Sequence, residues 1–343
     1  MAKESLFGKT LNELQEVVKE LNLPKFTANQ IADWLYKKNI SAIDDMTNLS
    51  KKARELLNEK FKLGLVAPIK VQQSVDGTKK YLFPTHGLNY IETAMIPEKE
   101  RKTVCVSSQV GCKMGCFFCF TAKQGFQGQL STGDILNQIY SLPEFDKLTN
   151  IVFMGMGEPL DNLEQVLKAI DILTADYALG WSPKRITVST IGILPQIHTF
   201  LETSKAHLAL SMHNPFDDER RKLMPSEIRY PLASNMQAIK QHDFSGQRRV
   251  SFEYIMFEGV NDSLRHADEI VRLVSGLSCR VNLIRFHPIP NTPLKGTSDA
   301  QIEVFQNRLK SRGVMTTLRA SRGMDILAAC GMLSTKKQTE DKK

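Results

Sequence analysis

No stretch of the 343 residues approaches the roughly 18 consecutive apolar positions of a membrane span. The start, Met1-Ala2-Lys3-Glu4-Ser5-Leu6-Phe7-Gly8-Lys9, carries charges where a secretory signal needs an unbroken apolar run. Both absences predict a cytoplasmic protein that uses no membrane. Internal repeats are missing, and the charged tail 334–343 is the one biased segment, so solenoid architectures are excluded. With 42% hydrophobic and 24% charged residues, wholesale disorder is excluded too. Charge asymmetry is small: 45 basic against 37 acidic side chains leave +8, a surplus that solubility alone accommodates. Cysteine is scarce, and four of the six lie between 105 and 119. That crowding excludes a secreted disulfide framework and points to metal binding or catalysis.

What is present is ordered in blocks. Residues 1–62 read as a helical accessory domain: Thr10-x-x-Glu13 is a capping box, followed by Leu11, Leu14, Val17, Val18 and Leu21 on one helical face. Further amphipathic stretches run through Ile31, Trp34 and Leu35, and through Ala53, Leu56, Leu57 and Phe61. Residues 63–100 read as a hairpin-rich linker turning at Asp76-Gly77. From 101 to 333, strand-like runs at 103–107, 151–156, 186–190, 208–212, 250–256, 281–286 and 314–318 alternate with helix-period segments. Alternation of this kind predicts an α/β fold with a parallel sheet, either an open doubly wound sheet or a full or partial (β/α) barrel.

The chemistry concentrates in Cys112-Lys113-Met114-Gly115-Cys116-Phe117-Phe118-Cys119, a C-x3-C-x2-C loop after the first strand of the main domain. Three thiolates can hold three irons of a cubane cluster and leave the fourth open, where most such clusters take four cysteines. A structural zinc site wants four closed ligands, and paired C-x2-C spacing is absent.

C-x3-C-x-aromatic-C, with Phe118 as the aromatic, resembles the signature of radical S-adenosylmethionine enzymes. The stretches Cys105-Val-Ser-Ser-Gln-Val-Gly-Cys112, Phe153-Met-Gly-Met-Gly-Glu-Pro-Leu160, Thr187-Val-Ser-Thr190, Arg221-x-x-Met-Pro225, Gly259-Val-Asn-Asp262, Val281-Asn-Leu-Ile284 and Asp325-Ile-x-Ala-Ala-Cys-Gly331 are similar to the RlmN family. That family comprises dual-specificity ribosomal and transfer RNA adenine-C2 methyltransferases; its sister family Cfr methylates C8. The resemblance implies a partial (β/α) TIM-like barrel carrying a [4Fe-4S] cluster on Cys112, Cys116 and Cys119. It further implies two molecules of S-adenosylmethionine per turnover, 23S rRNA and tRNA as partners, and an electron donor such as flavodoxin.

Adenine C2 lies between two ring nitrogens and is a poor nucleophile, whereas a thiolate is a strong one. The resemblance therefore implies that Cys330 carries the methyl group, that Cys105 resolves the protein–RNA crosslink through a transient disulfide with Cys330, and that Glu92 accepts a proton. Cys279 sits in no motif and is expected in the core. S-adenosylmethionine is expected across the carboxyl ends of the strands, at Gly157, Glu158, Ser189, Ser211, Met212, His213 and His287. At the last position the family carries Asn. RNA is expected on the basic carboxyl-terminal part, where Arg308, Lys310, Arg312, Arg319, Arg322, Lys336 and Lys337 face one acid, Asp325, together with Arg220-Arg221-Lys222 and Arg248-Arg249. The alternatives to C2 methylation are Cfr-like C8 methylation and a non-catalytic metal-bearing RNA-binding protein.

Overall fold

The computed structural model describes residues 3–38, 40–85, 89–244 and 249–335. Three helices build the amino-terminal region: α1 (Leu11–Glu20), α2 (Thr27–Tyr36) and α3 (Lys51–Lys60). Thr10 and Glu13 form the reciprocal capping box, with Glu13 N–H donating to Thr10 Oγ1 and Thr10 N–H donating to Glu13 Oε2. The faces carrying Leu14, Val17, Val18, Ile31, Leu35, Ala53 and Leu57 are buried. The unit docks on two helices of the main domain. Phe7 packs edge-on against Tyr140 at 5.1 Å, and Lys168 pairs with Glu13 at 2.5 Å.

One ten-stranded sheet organises the rest. Its strands are β1 (Lys70–Gln73), β2 (Lys79–Pro84), β3 (Tyr90–Glu98), β4 (Arg101–Cys105), β5 (Asn150–Phe153), β6 (Ile186–Thr190), β7 (His207–Ser211), β8 (Val250–Met256), β9 (Cys279–Arg285) and β10 (Thr316–Leu318). β1 to β4 pair antiparallel and β4 to β10 pair parallel. The segment 63–100 is thus no separate linker. Once the Asp76-Gly77 turn closes the β1–β2 hairpin, its backbone donors and acceptors are satisfied by extending the main sheet.

Strand order distinguishes the two architectures left open by the alternation. The parallel strands lie side by side in strict chain order with no reversal, which rules out double winding and curls the sheet as a barrel does. Among the described residues the edge strands β1 and β10 are not paired with each other, so the barrel is partial. Its two faces differ in chemistry. Val104, Ile151, Val188, Leu210, Phe252 and Val281 point outward and are buried under the helices. On the inner face Thr103, Thr187, Ser251, Glu253, Asn282 and Thr317 line a cavity of about 740 Å³. A polar inner face, where a closed barrel usually packs branched apolar side chains, keeps this lumen open. No helix among the described residues is long and apolar enough to cross a membrane.

Candidate active site

The loop after β4 is held from several sides. Gln109–Val110 pairs with Gly128–Gln129, Phe117 N–H donates to Leu223 O, and Phe120 N–H donates to Gly331 O. Cys112 and Cys116 are buried and Cys119 is half-buried. Burial pushes all three thiols up, Cys112 to about 12, and the negative charge of one thiolate raises its neighbours. The three therefore face a common space and need a cationic group to ionise together. Among the described residues no three His, Cys, Asp or Glu side chains converge on a single metal ion. Phe118, the aromatic of the motif, is buried and packs edge-on against His213 at 4.8 Å.

The residues expected to hold S-adenosylmethionine all fall at the carboxyl ends of β5 to β9, the same end as this loop. Ser189 pairs laterally with Ala209, and Ala209 with Ser251; Ser211 pairs with Glu253. Ser189 and Ser211 thus stand on the same sheet face as Ser251 and Glu253, which line the lumen, but do not line it themselves. His287 lines the lumen and exchanges a hydrogen bond with Ser321 Oγ at 2.8 Å; burial, then the charge of Arg285, lowers its pKa.

The remaining expected contacts are less open. Gly157 has φ +98°, and a Cβ there would lie 2.6 Å from Gln109, so its glycine serves a close approach of protein to protein. Glu158 is buried and raised to about 7 by that burial, although Thr190 and the N–H groups of Ile191 (3.0 Å) and Leu160 (3.1 Å) donate to it. Met212 packs in the outer core with both backbone groups engaged. His213 accepts from Ile255 N–H at 3.1 Å, and burial followed by the nearby Arg220 charge holds it neutral, down to about 3.

Cys105 and Cys330, 225 positions apart in the sequence, line the same cavity. The segment 319–335 brings them together by crossing from β10 to the opposite edge of the barrel. It is pinned at both ends. Asp325 accepts from Ser74 Oγ (2.5 Å) and Val75 N–H (3.2 Å), and Asp76 accepts from Gly323 N–H (2.9 Å). Further along, Thr121 Oγ1 donates to Leu333 O and Ser334 N–H donates to Glu92 Oε2. The charged tail therefore does not begin at Ser334, since Ser334 and Thr335 are buried; residues 336–343 lie outside the described ones. Cys105 packs between Ala94 and Ala328. Its thiol is pushed up to about 12 by burial and then by the Cys330 charge, while Arg319 favours both thiolates. Cys330 itself is open to the cavity. Glu92 is buried and ion-paired to Lys80 at 3.0 Å; burial raises its carboxyl against that pairing. It does not line the cavity, but it anchors the far end of the Cys330 segment.

This clasp has an acid limit. Hydrogen bonds from Thr78 and Gly323 outweigh burial and pull Asp76 down to about 2, and the Ser74 hydroxyl lowers Asp325. Carboxylates depressed in the folded state stabilise it fully above the unfolded value of about 4 and lose that contribution as pH falls toward the folded value. Hydrogen-exchange protection across 319–335, taken relative to the intrinsic rate at each pH, is expected to fall between about pH 4 and 2. Equal protection at both ends of that window would show that other contacts hold the segment.

The basic residues are distributed otherwise than expected. Arg220 is fully buried, ion-paired to Glu227, and donates to the carbonyls of Ile191, Ser211 and Met212, so it ties the ends of β6 and β7 together and is not available to RNA. Arg308 pairs with Asp268, and Arg319 faces Glu253 inside the lumen at 3.4 Å. Arg248, Lys336 and Lys337 lie outside the described residues. Cys279 is half-buried at the start of β9, packed against the main core and at the edge of the cavity. The sequence reading missed Gln109 and Glu253 and gave Arg220 and Arg319 to RNA. Gln109 sits inside a quoted motif, and Glu253 could have been found from the polar alternation Ser251, Glu253 on an otherwise apolar strand.

Comparison with known proteins decides the family. Residues 106–273 match the radical SAM superfamily and residues 5–63 match the ribosomal RNA large subunit methyltransferase N-terminal domain. A probable dual-specificity RNA methyltransferase RlmN from Phocaeicola vulgatus is 56% identical over 340 residues, 99% of this chain and 97% of that protein. The chain belongs to the RlmN family. A probable RlmN of Bacteroides fragilis is 55% identical over the full length of both chains, and the RlmN of Syntrophus aciditrophicus is 44% identical over 95% of each. A solved radical SAM methyltransferase from Sphaerobacter thermophilus superposes with a TM-score of 0.90 at 40% identity, covering 96% of this chain and 99% of that one. The partial barrel with its helical amino-terminal region is thus the RlmN architecture.

Proposed function

We propose that the protein methylates C2 of an adenosine in 23S rRNA, at the peptidyl-transferase centre, and C2 of the adenosine 3′ of the anticodon in tRNAs. One observation carries this reading: a loop pinned across the barrel sets Cys330 beside Cys105 in a polar lumen, in a chain of the RlmN family. Cys112, Cys116 and Cys119 would hold a [4Fe-4S] cluster, three ligands leaving one iron for S-adenosylmethionine. With an electron from a donor such as flavodoxin, that pair supplies the radical chemistry needed to remove hydrogen from an unactivated methyl group. Two molecules of S-adenosylmethionine are used per turnover.

The chain's own residues do the rest. Cys330 gives up its proton and takes the methyl group on sulfur, with the Arg319 charge favouring the thiolate against burial. Cys105, in the same wall, attacks the Cys330 sulfur of the protein–RNA crosslink as a thiolate; the S–S bond forms as the Cys330 S–C bond breaks, and its electron pair leaves with the methylated base, which takes up a proton. Ser189, Ser211 and His287 orient S-adenosylmethionine along the strand ends, with Gly157, Glu158, Met212 and His213 shaping the turns behind them. Glu92 serves as proton acceptor from its place at the end of the Cys330 segment.

Mass spectrometry of RNA from a deletion strain tests the reading. Loss of 2-methyladenosine from both 23S rRNA and tRNA, restored by the gene, is expected; its persistence overturns the proposal. Loss of 8-methyladenosine instead would assign the C8 activity. Anaerobic reconstitution yielding one tight zinc and no cleavage of S-adenosylmethionine would leave a non-catalytic RNA-binding protein.

A further inference from the structure

We infer that the target nucleotide enters the lumen through the end opposite the cysteine loop, where a ring of basic side chains holds its phosphates. The inference rests on the RNA substrate proposed above and names its entrance. Arg101 opens β4, Lys184 precedes β6, Arg249 precedes β8 and Arg280 is the second residue of β9. All four line the same cavity as Cys105 and Cys330. Four elements separated along the chain thus place their positive charges at one mouth.

Among the described residues none of the four is ion-paired, although Glu98 stands opposite Arg101 in the β3–β4 register. Arg101 donates to Asn150 Oδ1 at 3.2 Å, and Arg280 donates to Met315 Sδ at 3.4 and 3.3 Å, both neutral partners. Arg101, Lys184 and Arg249 are exposed, Arg280 is half-buried, and Glu98 is the acid on the same rim. Arginine at such a mouth binds phosphate through charge and paired donors while reading no base, which suits positioning.

Depth and lining fit a single extruded nucleotide. Arg101 and Cys105 lie four residues apart on one strand face, about 13 Å at a strand's rise. An unstacked base can span that depth with its phosphates left at the rim. Midway, Glu253 is buried, accepts from Ser251 and Asn282 through one oxygen, and faces Arg319 at 3.4 Å with the other. Of the basic residues after 308, Arg319 and Arg322 line this cavity as well; the mouth exists only in the folded barrel.

The test uses the full chain with its cluster reconstituted and an unmodified tRNA transcript as probe, with binding measured by anisotropy across a salt series. The triple variant Arg101→Gln, Arg249→Gln, Arg280→Gln is expected to bind on the order of a hundredfold more weakly near 0.1 M salt, with the slope of log affinity against log salt reduced by about 2. A triple neutralisation on α3 (Lys51→Gln, Lys52→Gln, Lys60→Gln) controls for net charge and should leave both unchanged. Should the mouth triple fail to retain the melting temperature and iron content of the parent, the single variants replace it, each expected to cost about fivefold. Parental affinity and slope in the mouth variants, or an equal loss in the α3 variant, overturns the entrance. A parent chain that neither binds nor methylates the transcript instead overturns the RNA substrate itself, and the entrance with it.

Discussion

Cys330→Ala is expected to reduce RNA methylation by roughly a thousandfold or more, to below detection, while leaving the fold intact. The side chain opens on the cavity and supports no packing that alanine would lose. Its segment is held by neighbours: Gly331 O accepts from Phe120, Leu333 O accepts from Thr121, and Asp325 is clasped by Ser74. None of these involves the sulfur. The variant should therefore keep the parental melting temperature and iron content. Intact-mass analysis of the parent under methylating conditions should find a methyl on Cys330, absent from the variant. Methylation of RNA by the variant at the parental rate would sink the cysteine-carrier mechanism.

Arg220→Leu is expected to be the most destabilising substitution, at about 3–5 kcal/mol, because it leaves the Glu227 carboxylate buried without its counter-charge. It also strips donors from the carbonyls of Ile191, Ser211 and Met212, which end two adjacent strands. Urea unfolding should show the loss as a lower midpoint. The double variant Arg220→Leu, Glu227→Leu should recover part of it, since an apolar pair no longer buries a lone charge. A single variant as stable as the parent would mean that water reaches this pair. Activity should fall even where the variant folds, because Ser211 lies on the released strand end.

Much of the architecture is legible along the chain, for a local reason. Each outer strand face is apolar at every second residue and each helix at every third or fourth, so the periods at 186–190, 250–256 and 163–173 locate elements within a residue or two. The capping box at Thr10 and the turn at Asp76-Gly77 are likewise short-range chemistry. The segment 63–100 misleads because strands carry no mark of which sheet they join. Only the pairing of β3 with β4 makes it part of the barrel. The basic residues mislead in the opposite sense: Arg220 looks like surface charge in Arg220-Arg221-Lys222, yet its carboxylate partner lies seven positions on and its carbonyl partners up to 29 positions back.

By itself the sequence determined the three-cysteine loop, the alternation of strands and helices, and the family motifs, all of which rest on spacings of a few residues. Tertiary structure alone decided that Cys330 meets Cys105, that Arg220 is an internal tie, and that Arg101, Lys184, Arg249 and Arg280 share one mouth. Such meetings depend on the curvature of a sheet and on one loop closing its open side. Residues far apart in sequence become neighbours only after the chain has paid the entropy of ordering everything between them.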